Sequence, residues 1–520
     1  GSGVKEKTQL DAVVEYLKKT ALDNGYTRGM QLWLPVLPET LYLEELSGYE
    51  PLFDGSGWKQ PEGVWKLSAM AGLSDDPVNQ AQLPMEVDFA EGGHHAVCGT
   101  VASGKSTFLQ TVLYALTGRY SPDWLNIYGI DFSSRMLAPF EDMPHTGGIV
   151  YEGQQEKAGR LFHLMGQFLK ERKELLKGGT YAQYVKNVGN SLPAVLLVID
   201  NYAGFKEKTA NEYEDILIQI AREGVSYGIF LLISSAGFGL AEIPSRIGDH
   251  IRTVISLEMG DKFKYMDVLR TTHIPVLPET NVKGRGLAFR GKSLLEFQTA
   301  LALPAEDDFA RSRKIRETAA RMSEAWEGPQ AKRIPEIPEN PTLTLLEQSG
   351  DYEKENIYGE QLPFAYSLTD ASLYSVRLEG TYCYSILGRS RTGKTNTMKL
   401  LLHAAAAQPA KTMVIENGSP QLNGLAGEYG MGYAHTPREI FLFFKELLPV
   451  FAQRNKQKQA LLARGFSDEE IFREMKKEQS IYIFIADLAE FMRMIYSPQE
   501  GVGDMHGFLE NILEKGSLHN

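Results

Sequence analysis

Two successive blocks of the chain share one order of apolar and polar segments. Each block opens with a proline-punctuated segment, residues 34–38 in the first and residues 334–338 in the second. A short apolar stretch, a glycine-rich turn and a segment with apolar residues at helical spacing follow in both. Each block then has a continuous apolar run that ends in an aspartate, Asp200 or Asp487, which is typical of a buried parallel strand. The pattern predicts an internal repeat of two α/β domains.

The two glycine-rich turns carry a phosphate-binding pattern, G-x-x-x-x-G-K-[ST]. It is matched in full by Gly99, Thr100, Val101, Ala102, Ser103, Gly104, Lys105 and Ser106, and by Gly388, Arg389, Ser390, Arg391, Thr392, Gly393, Lys394 and Thr395. Glycine permits backbone conformations in which successive N–H groups face an anion at the positive end of the next helix. The lysine reaches the β- and γ-phosphates, and the hydroxyl of Ser106 or Thr395 ligates Mg²⁺. Both turns are predicted to bind ATP with Mg²⁺.

The elements around these turns fit a P-loop. Residues 96–98 and 384–387 are predicted to form the strand before each loop. The first loop leads into a helix with apolar residues between 108 and 116, and Gly118 can end that helix. The predicted fold is therefore two tandem P-loop NTPase domains, of the RecA/FtsK-like kind, with mainly parallel sheets flanked by helices.

Asp200 and Asp487 occupy the place of a Walker B aspartate, which holds the water shell of Mg²⁺. The structural alternative is an aspartate that caps the next turn. Hydrolysis also needs a carboxylate to orient the attacking water, and in many such ATPases it follows the aspartate directly. Asn201 and Leu488 stand there instead, and neither can act as a base. We expect hydrolysis to be weak or absent in both domains unless a neighbouring subunit supplies the missing group.

Two arginines and one further strand complete the candidate nucleotide site. Residues 230–235 predict the neighbouring core strand, which ends in two serine hydroxyls that can face the γ-phosphate. Arg246 and Arg252 follow and are candidate arginine fingers for the site of a neighbouring protomer. Ordinary surface arginines are the alternative reading of both.

The histidines and cysteines suggest no metal site or disulfide. His94 and His95 have no cysteine, third histidine or carboxylate at ligand spacing, which favours a solvated strand end. Cys98 and Cys383 are the only cysteines and lie in apolar stretches, so both thiols are predicted to be buried. Two cysteines are too few for a disulfide framework, which indicates a reducing, cytosolic setting.

The chain is predicted to divide into four segments. Residues 1–30 form a linker helix from a preceding module, residues 31–304 the first P-loop domain, residues 305–341 a helical and proline-rich linker, and residues 342–520 the second P-loop domain. The first block continues far past Asp200, whereas 33 residues follow Asp487. We therefore expect the second domain to be incomplete at its C-terminal end.

Composition narrows the class of protein. The chain has 520 residues, 43% hydrophobic and 23% charged, which is the balance of a globular protein with two or three domains. Its formal net charge of −12 disfavours a general nucleic-acid surface. Since no apolar run approaches the roughly 20 residues that cross a bilayer, we expect any membrane attachment to lie outside this chain.

Taken together, these features resemble the FtsK/SpoIIIE family of ring-forming P-loop ATPases, and more closely the EssC/EccC ATPases of type VII secretion systems. The tandem layout and spacing of the Walker motifs are the specific part, and the resemblance covers nearly the whole chain. Residues 34–38, 196–200, 243–246 and 284–286 also carry it. The chain departs from the translocase pattern at Asn201 and Leu488, where glutamate is expected, and at residues 234–235, where threonine-glutamine is usual.

The resemblance implies a role in protein export. It identifies the chain with the second and third ATPase modules of a membrane protein that forms hexameric rings on the cytoplasmic face of the cell membrane. It also implies contact with other membrane components of the secretion system, and recognition of small helical WXG-motif substrates through a C-terminal signal. The departures at Asn201 and Leu488 place motor activity in doubt and leave nucleotide binding intact.

Two other functions are compatible with tandem P-loops. A DNA translocase of the same superfamily would need a basic ring lumen and usually a winged-helix DNA reader, and the sequence shows neither. A structural adaptor would carry vestigial P-loops that bind no ATP. The sequence favours a secretion-coupling segment that binds ATP for assembly or substrate gating.

Overall fold

The structure, a computed structural model, describes residues 8–26, 34–63, 65–189, 191–358, 361–378, 381–497, 502–516 and 519–520. It divides into two compact units, Gly1–Ile334 and Pro335–Asn520. The division falls within the predicted linker of residues 305–341. The predicted domain start near residue 30 and the first residues of the predicted N-terminal helix lie outside the described residues.

The first unit alternates strands and helices in the order expected for an α/β domain. Its strands are β1 Ser68–Asp76, β2 Ala81–Asp88, β3 His95–Cys98, β4 Leu125–Asp131, β5 Thr146–Tyr151, β6 Ala194–Asp200, β7 Ile229–Ser235, β8 Thr253–Leu257, β9 Arg285–Arg290 and β10 Ser293–Thr299. Its helices are α1 Gln9–Asp23, α2 Phe89–Gly92, α3 Lys105–Arg119, α4 Gln155–Leu176, α5 Tyr181–Val188, α6 Tyr202–Lys208, α7 Glu214–Glu223, α8 Ser245–Gly248, α9 Lys262–Val268 and α10 Asp308–Ala325. Short 3₁₀ turns occur at Leu43–Glu45, Ala138–Phe140 and Gly224–Tyr227.

In the described part of the first unit the strands form one sheet, in the order β2-β1-β10-β9-β8-β3-β7-β6-β4-β5. Strands β8, β3, β7, β6, β4 and β5 run parallel, whereas β9, β10, β1 and β2 are antiparallel. Every residue of β3, β6 and β7 is buried, because helices cover both faces of the parallel part. The predicted mainly parallel α/β fold is confirmed.

The predicted linker helix is α10, and it packs on the first unit. Ile315, Ala319 and Met322 enter the same hydrophobic core as α3. The chain then follows β5, where the Ala331 amide donates to the Pro144 carbonyl at 3.0 Å and Ile334 to Gly147 at 2.9 Å. Main-chain hydrogen bonds and core contacts therefore tie this segment to the first unit as far as Ile334.

The second unit repeats the P-loop half of this plan. Its strands are β11 Gln361–Tyr366, β12 Leu373–Arg377, β13 Lys411–Ile415, β14 Gly432–Ala434 and β15 Ile481–Ile485. Its helices are α11 Leu343–Glu347, α12 Lys394–Ala406, α13 Asn423–Glu428, α14 Pro437–Ala463, α15 Asp468–Met475, α16 Leu488–Tyr496 and α17 His506–Lys515, with a π-helical turn at Lys354–Tyr358. Strands β11 and β12 pair as a hairpin, and β14-β13-β15 form a parallel sheet.

The prediction of a strand at residues 384–387 is wrong. This segment is irregular, Leu387 is exposed, and the neighbouring Cys383 is exposed where a buried thiol was predicted. In the first unit, β3 is paired on both sides, with β7 and β8. In the second unit β14-β13-β15 correspond to β5-β4-β6, β11 and β12 form a separate hairpin, and no described strand occupies the place of β7 or β8. Without either neighbour, the segment before the second P-loop has no ladder to join.

The prediction that His94 and His95 form a solvated strand end is also wrong, since both are buried. His94 accepts a hydrogen bond from the Leu231 amide at 2.9 Å through Nδ1 and contacts the Ala221 carbonyl at 3.0 Å through Nε2. A third buried histidine, His145, contacts the Tyr120 carbonyl at 2.6 Å. Burial lowers the pKa of each imidazole to about 4, because the charged form would lose its hydration.

Because these histidines are buried in their neutral form, we expect the first unit to lose stability in acid. Their pKa values are lower folded than unfolded, so their stability contribution is complete above about pH 6.5 and is lost as the pH falls towards 4. Each adds a slope of about 1.4 kcal/mol per pH unit to the free energy of unfolding. Denaturant titrations followed by tryptophan fluorescence report this unit alone, since all 5 tryptophans precede residue 335.

The matched variants are His145→Gln and His163→Gln, of which His163 is exposed on α4. Comparison with the wild type removes the contributions of other titrating groups. We expect His145→Gln to reduce the slope of the free energy of unfolding against pH, between pH 6.5 and 4, by about the contribution of one bound proton. His163→Gln should leave this slope unchanged. An unchanged slope in His145→Gln would show that this histidine is not held neutral by the fold.

Candidate nucleotide-binding site

The first P-loop lies between β3 and α3, at the carboxyl edge of the parallel strands. Ala102 and Gly104 have positive φ angles of 64° and 107°, so the loop turns its amides towards the start of α3. At equivalent positions in the second loop, Arg391 and Gly393 have φ angles of 64° and 96°. The two sequence matches therefore share one backbone conformation, the one that cradles phosphate.

Lysine side chains occupy the centre of both loops. Lys105 Nζ donates to the carbonyls of Gly99 and Thr100, each at 2.7 Å. Lys394 Nζ makes the same pair of bonds, to Gly388 and Arg389, at 2.8 Å. The two loops thus hold their ammonium groups alike, where a phosphate lying over the loop amides would meet them.

Neighbouring elements hold the first loop rigidly. The Gly99 amide donates to the Ser235 carbonyl at 3.2 Å, and the Gly284 amide donates to the Ser103 carbonyl at 2.9 Å. A Cβ atom on Gly104 would lie 3.1 Å from the Gly284 nitrogen, so glycine is required there by both space and backbone angle. The first loop is therefore fixed by β7 on one side and by the turn before β9 on the other.

Asp200 ends β6 beside the P-loop and is almost fully buried. Its Oδ1 accepts a hydrogen bond from Ser234 Oγ at 2.6 Å, and the Ser106 hydroxyl also lies close enough to favour the ionised carboxylate. Burial is the larger effect and raises the pKa of Asp200. Its Oδ2 is buried and has no hydrogen-bond partner among the described residues.

Asn201, which stands where a catalytic glutamate was expected, has a structural role. It adopts a left-handed φ of 66°, a conformation that asparagine tolerates, and it begins α6. Its Oδ1 accepts from the Gly204 amide and its Nδ2 donates to the Phe132 carbonyl, both at 3.3 Å. The side chain therefore caps a helix, and the amide cannot accept a proton from water.

A glutamate that sequence reasoning missed lies at the end of β7, the strand between β3 and β6. Glu242 Oε2 accepts from Ser235 Oγ at 2.7 Å and from the Ala236 amide at 3.3 Å. Burial lowers the pKa of Lys105, and the carboxylates of Asp200 and Glu242 oppose that shift, which places both near the ammonium group. The sequence gives no signal for Glu242, because no local motif marks the short loop that brings it back to β7.

The two candidate arginine fingers do not join this site within their own unit. Arg252 is exposed and directly precedes β8, whose first residue pairs with His95 at the start of β3. It therefore lies at the sheet edge opposite the P-loop. Arg246 is exposed on α8. Their assignment as fingers that act on a neighbouring protomer stays a prediction.

The second site is more open than the first. Gly388 and Thr395 are exposed and Lys394 is half-buried, because no strand among the described residues pairs with the preceding segment. Asp487 is also exposed, and its Oδ1 accepts from the Glu490 amide at 3.0 Å as the N-cap of α16. Glu490 is paired with Arg493 at 2.8 Å. The capping alternative thus describes Asp487, whereas Asp200 lies against its P-loop.

Comparisons with known proteins agree with this geometry. The model of the FtsK/SpoIIIE family matches residues 58–184. The type VII secretion system protein EssC of Staphylococcus aureus (strain MRSA252) is 27% identical over 398 residues, which are 75% of this chain and 26% of that protein.

Solved structures extend the likeness to both units. ATPases 2 and 3 of EssC from Geobacillus thermodenitrificans superpose with a TM-score of 0.67 at 22% identity, covering 89% of this chain and 91% of that one. ATPases 2 and 3 of Thermomonospora curvata EccC, in complex with a signal sequence peptide, superpose with a TM-score of 0.63 at 22% identity, covering 94% and 86%. The chain is homologous to the EssC/EccC ATPases.

The EssC/EccC homology explains the tandem arrangement, since the fold of both units corresponds to ATPases 2 and 3. The chain spans about a quarter of the length of the staphylococcal EssC protein. Among the residues that the structure describes, no helix is long and apolar enough to span a bilayer.

Proposed function

We propose that this chain is the ATP-binding segment of a type VII secretion ATPase, in which nucleotide binding is coupled to substrate recognition and export. The first unit binds ATP with Mg²⁺ and hydrolyses it slowly. One combination of features carries this proposal. The first P-loop is held in place and lies beside a buried Asp200, whereas the side chain of Asn201, the next residue, caps a helix.

The residues of the first site fit an ATP·Mg²⁺ ligand. The loop amides and Lys105 would hold the β- and γ-phosphates, and the Ser106 hydroxyl would ligate the metal ion. Asp200 Oδ2 is a buried oxygen without a protein partner among the described residues, which is suited to a water of the ion's hydration shell. When bound, Mg²⁺ supplies charge neutralisation at the phosphates.

The second unit is proposed to serve recognition more than hydrolysis. Its P-loop has the phosphate-binding backbone, but Asp487 caps a helix and Leu488 cannot act as a base. The Thermomonospora EccC structure contains a signal sequence peptide. By analogy, we propose that this chain binds the C-terminal signal of small helical WXG-motif substrates, within a hexamer on the cytoplasmic face of the membrane that also contacts other membrane components of the system.

Peptide binding in the presence and absence of ATP·Mg²⁺ tests this proposal. A fluorescent peptide that copies the C-terminal signal of a WXG-motif substrate is titrated with the chain, and a scrambled peptide serves as the control. We expect saturable anisotropy only for the signal peptide. Absence of peptide binding, together with ATPase turnover that double-stranded DNA stimulates in a salt-sensitive manner, would instead indicate a DNA translocase.

A further inference from the structure

Hydrolysis at the first site needs a carboxylate that Asn201 does not provide. A water molecule attacks the γ-phosphorus efficiently only when a nearby group orients it and accepts its proton. The position after Asp200 is occupied by an amide that faces Gly204 and Phe132. Asp131, at the end of the neighbouring strand β4, uses both carboxylate oxygens to accept main-chain amides, those of Ser133, Arg135 and Leu137.

Glu242 is an acid whose carboxylate contacts the strand that supports the first P-loop, whereas Glu258 contacts Thr100 through its carbonyl and turns its carboxylate to the Asn281 amide. Ser235, the partner of Glu242, is paired in register with Cys98, the last residue before the loop, and the Ser235 carbonyl accepts the Gly99 amide. The Glu242 carboxylate is therefore hydrogen-bonded to β7, the strand that pairs with the one that carries the loop. It is also near enough to Lys105 to oppose the lowering of the pKa of its ammonium group by burial, as Asp200 does.

The loop that carries Glu242 is held in place. Ile243 is fully buried, and its carbonyl accepts the Gly239 amide at 3.0 Å. Phe238 and Ile243 form an isolated β-bridge, so the segment returns to the end of β7 as a closed loop. Glu242 itself is partly exposed, which leaves room for water beside its carboxylate.

We propose that Glu242 orients and deprotonates the attacking water in the first unit. In this step the water oxygen forms a bond to the γ-phosphorus while the bond from that phosphorus to the β,γ-bridging oxygen breaks. The departing water proton passes to Glu242 and then to solvent, which leaves ADP and inorganic phosphate. Ser235 is a positioning residue, since its hydroxyl holds Oε2 in place. The proposal rests on ATP binding at this site, which is part of the proposed function.

Single-turnover hydrolysis tests the role of Glu242. Every protein in this test is the full chain with Lys394→Ala, so that the ADP formed reports the first site. The protein is mixed in excess over radiolabelled ATP with Mg²⁺. Bound ADP is followed over hours, and the ATP dissociation constant is measured separately. Glu242→Gln is compared with Glu174→Gln, which removes the same charge from an exposed position near the end of α4.

We expect Glu242→Gln to bind ATP at least as tightly as its parent and to form ADP about 100-fold more slowly, as for loss of a general base. Glu174→Gln should match the parent in both readouts. Ser235→Ala should fold normally and give an intermediate rate, which keeps the test valid if Glu242→Gln proves unstable. Equal rates in Glu242→Gln and its parent overturn the proposal.

The same experiment distinguishes a failure of the role of Glu242 from a failure of ATP binding. If the parent binds ATP but forms no ADP above the enzyme-free blank, the role of Glu242 is overturned and nucleotide binding stands. If the parent does not bind ATP at all, the proposed function of the first unit fails as well.

Discussion

Lys105→Ala is expected to weaken ATP binding to the first unit by roughly 100-fold. Charge-assisted hydrogen bonds contribute about 1.5–3 kcal/mol each, and about 1.4 kcal/mol corresponds to a factor of ten in affinity. Lys105 lies at the centre of a loop that β7 and the turn before β9 hold in place. Because this loop is already ordered, its lysine needs little rearrangement to meet a phosphate.

Calorimetry with ATP·Mg²⁺ measures this loss. The matched control is Lys170→Ala, which removes an exposed lysine from α4 and should leave the dissociation constant unchanged. Lys394→Ala is expected to have a smaller effect on total binding, because the second loop is exposed and solvent weakens the attraction between its lysine and a phosphate. Unaltered ATP affinity in Lys105→Ala would mean that the first P-loop is vestigial, as in a structural adaptor.

Asp200→Asn is expected to change stability and binding in opposite directions. Burial raises the pKa of Asp200, which means that the fold disfavours its charge, so the neutral amide should raise the Tm of the first unit. The amide oxygen can still accept from Ser234. The same substitution removes the charge that would hold the hydration shell of Mg²⁺, so ATP affinity should lose most of its dependence on the ion.

Thermal unfolding by tryptophan fluorescence and ATP titrations with Mg²⁺ or EDTA check both directions. Asp487→Asn is the internal comparison, since Asp487 is an exposed helix cap and asparagine caps helices as well as aspartate does. It should leave the Tm of the first unit unchanged. A lower Tm in Asp200→Asn would show that the buried carboxylate stabilises the fold. It would contradict the expectation that this charge lowers stability while it supports Mg²⁺-dependent ATP binding.

Much of the first site could be predicted from the sequence because its parts are local. The loop from Gly99 to Ser106 and the continuous apolar runs of β6 and β7 specify their own conformations. A fully apolar run can only be a buried strand or helix, and its short length and terminal aspartate favoured a strand. The position of Asp200 beside the P-loop follows from the parallel arrangement of β3, β7 and β6.

Other parts depend on contacts that no local motif specifies. Residues 384–387 have an apolar strand pattern, but a strand forms only with a neighbour, and none is described beside them. His94 and His95 were predicted to form a solvated strand end, yet both are buried, and His94 contacts main-chain groups of α7 and β7. Glu242 reaches the site through a loop closed by Phe238 and Ile243, and no local motif encodes that return.

The packing partner of the linker helix could not be predicted from the sequence either. The helix itself was predicted from a charged, amphipathic pattern, and α10 begins after the N-cap Asp307, whose side chain accepts from the Ala310 amide. That pattern identifies an apolar face without naming its partner. The structure shows the face packed on the core of the first unit, through Ile315 and Met322.

The most direct test of the account follows ATP and ADP on the wild-type chain in one experiment. Rapid-quench analysis with excess protein and radiolabelled ATP·Mg²⁺ gives both the bound fraction and the rate of ADP formation. We predict saturable ATP binding that Lys105→Ala weakens roughly 100-fold at the first site, with ADP forming well below about 1 s⁻¹, the lower end of typical enzyme turnover. Rapid and cooperative hydrolysis at or above that rate would contradict a site that holds ATP longer than it consumes it.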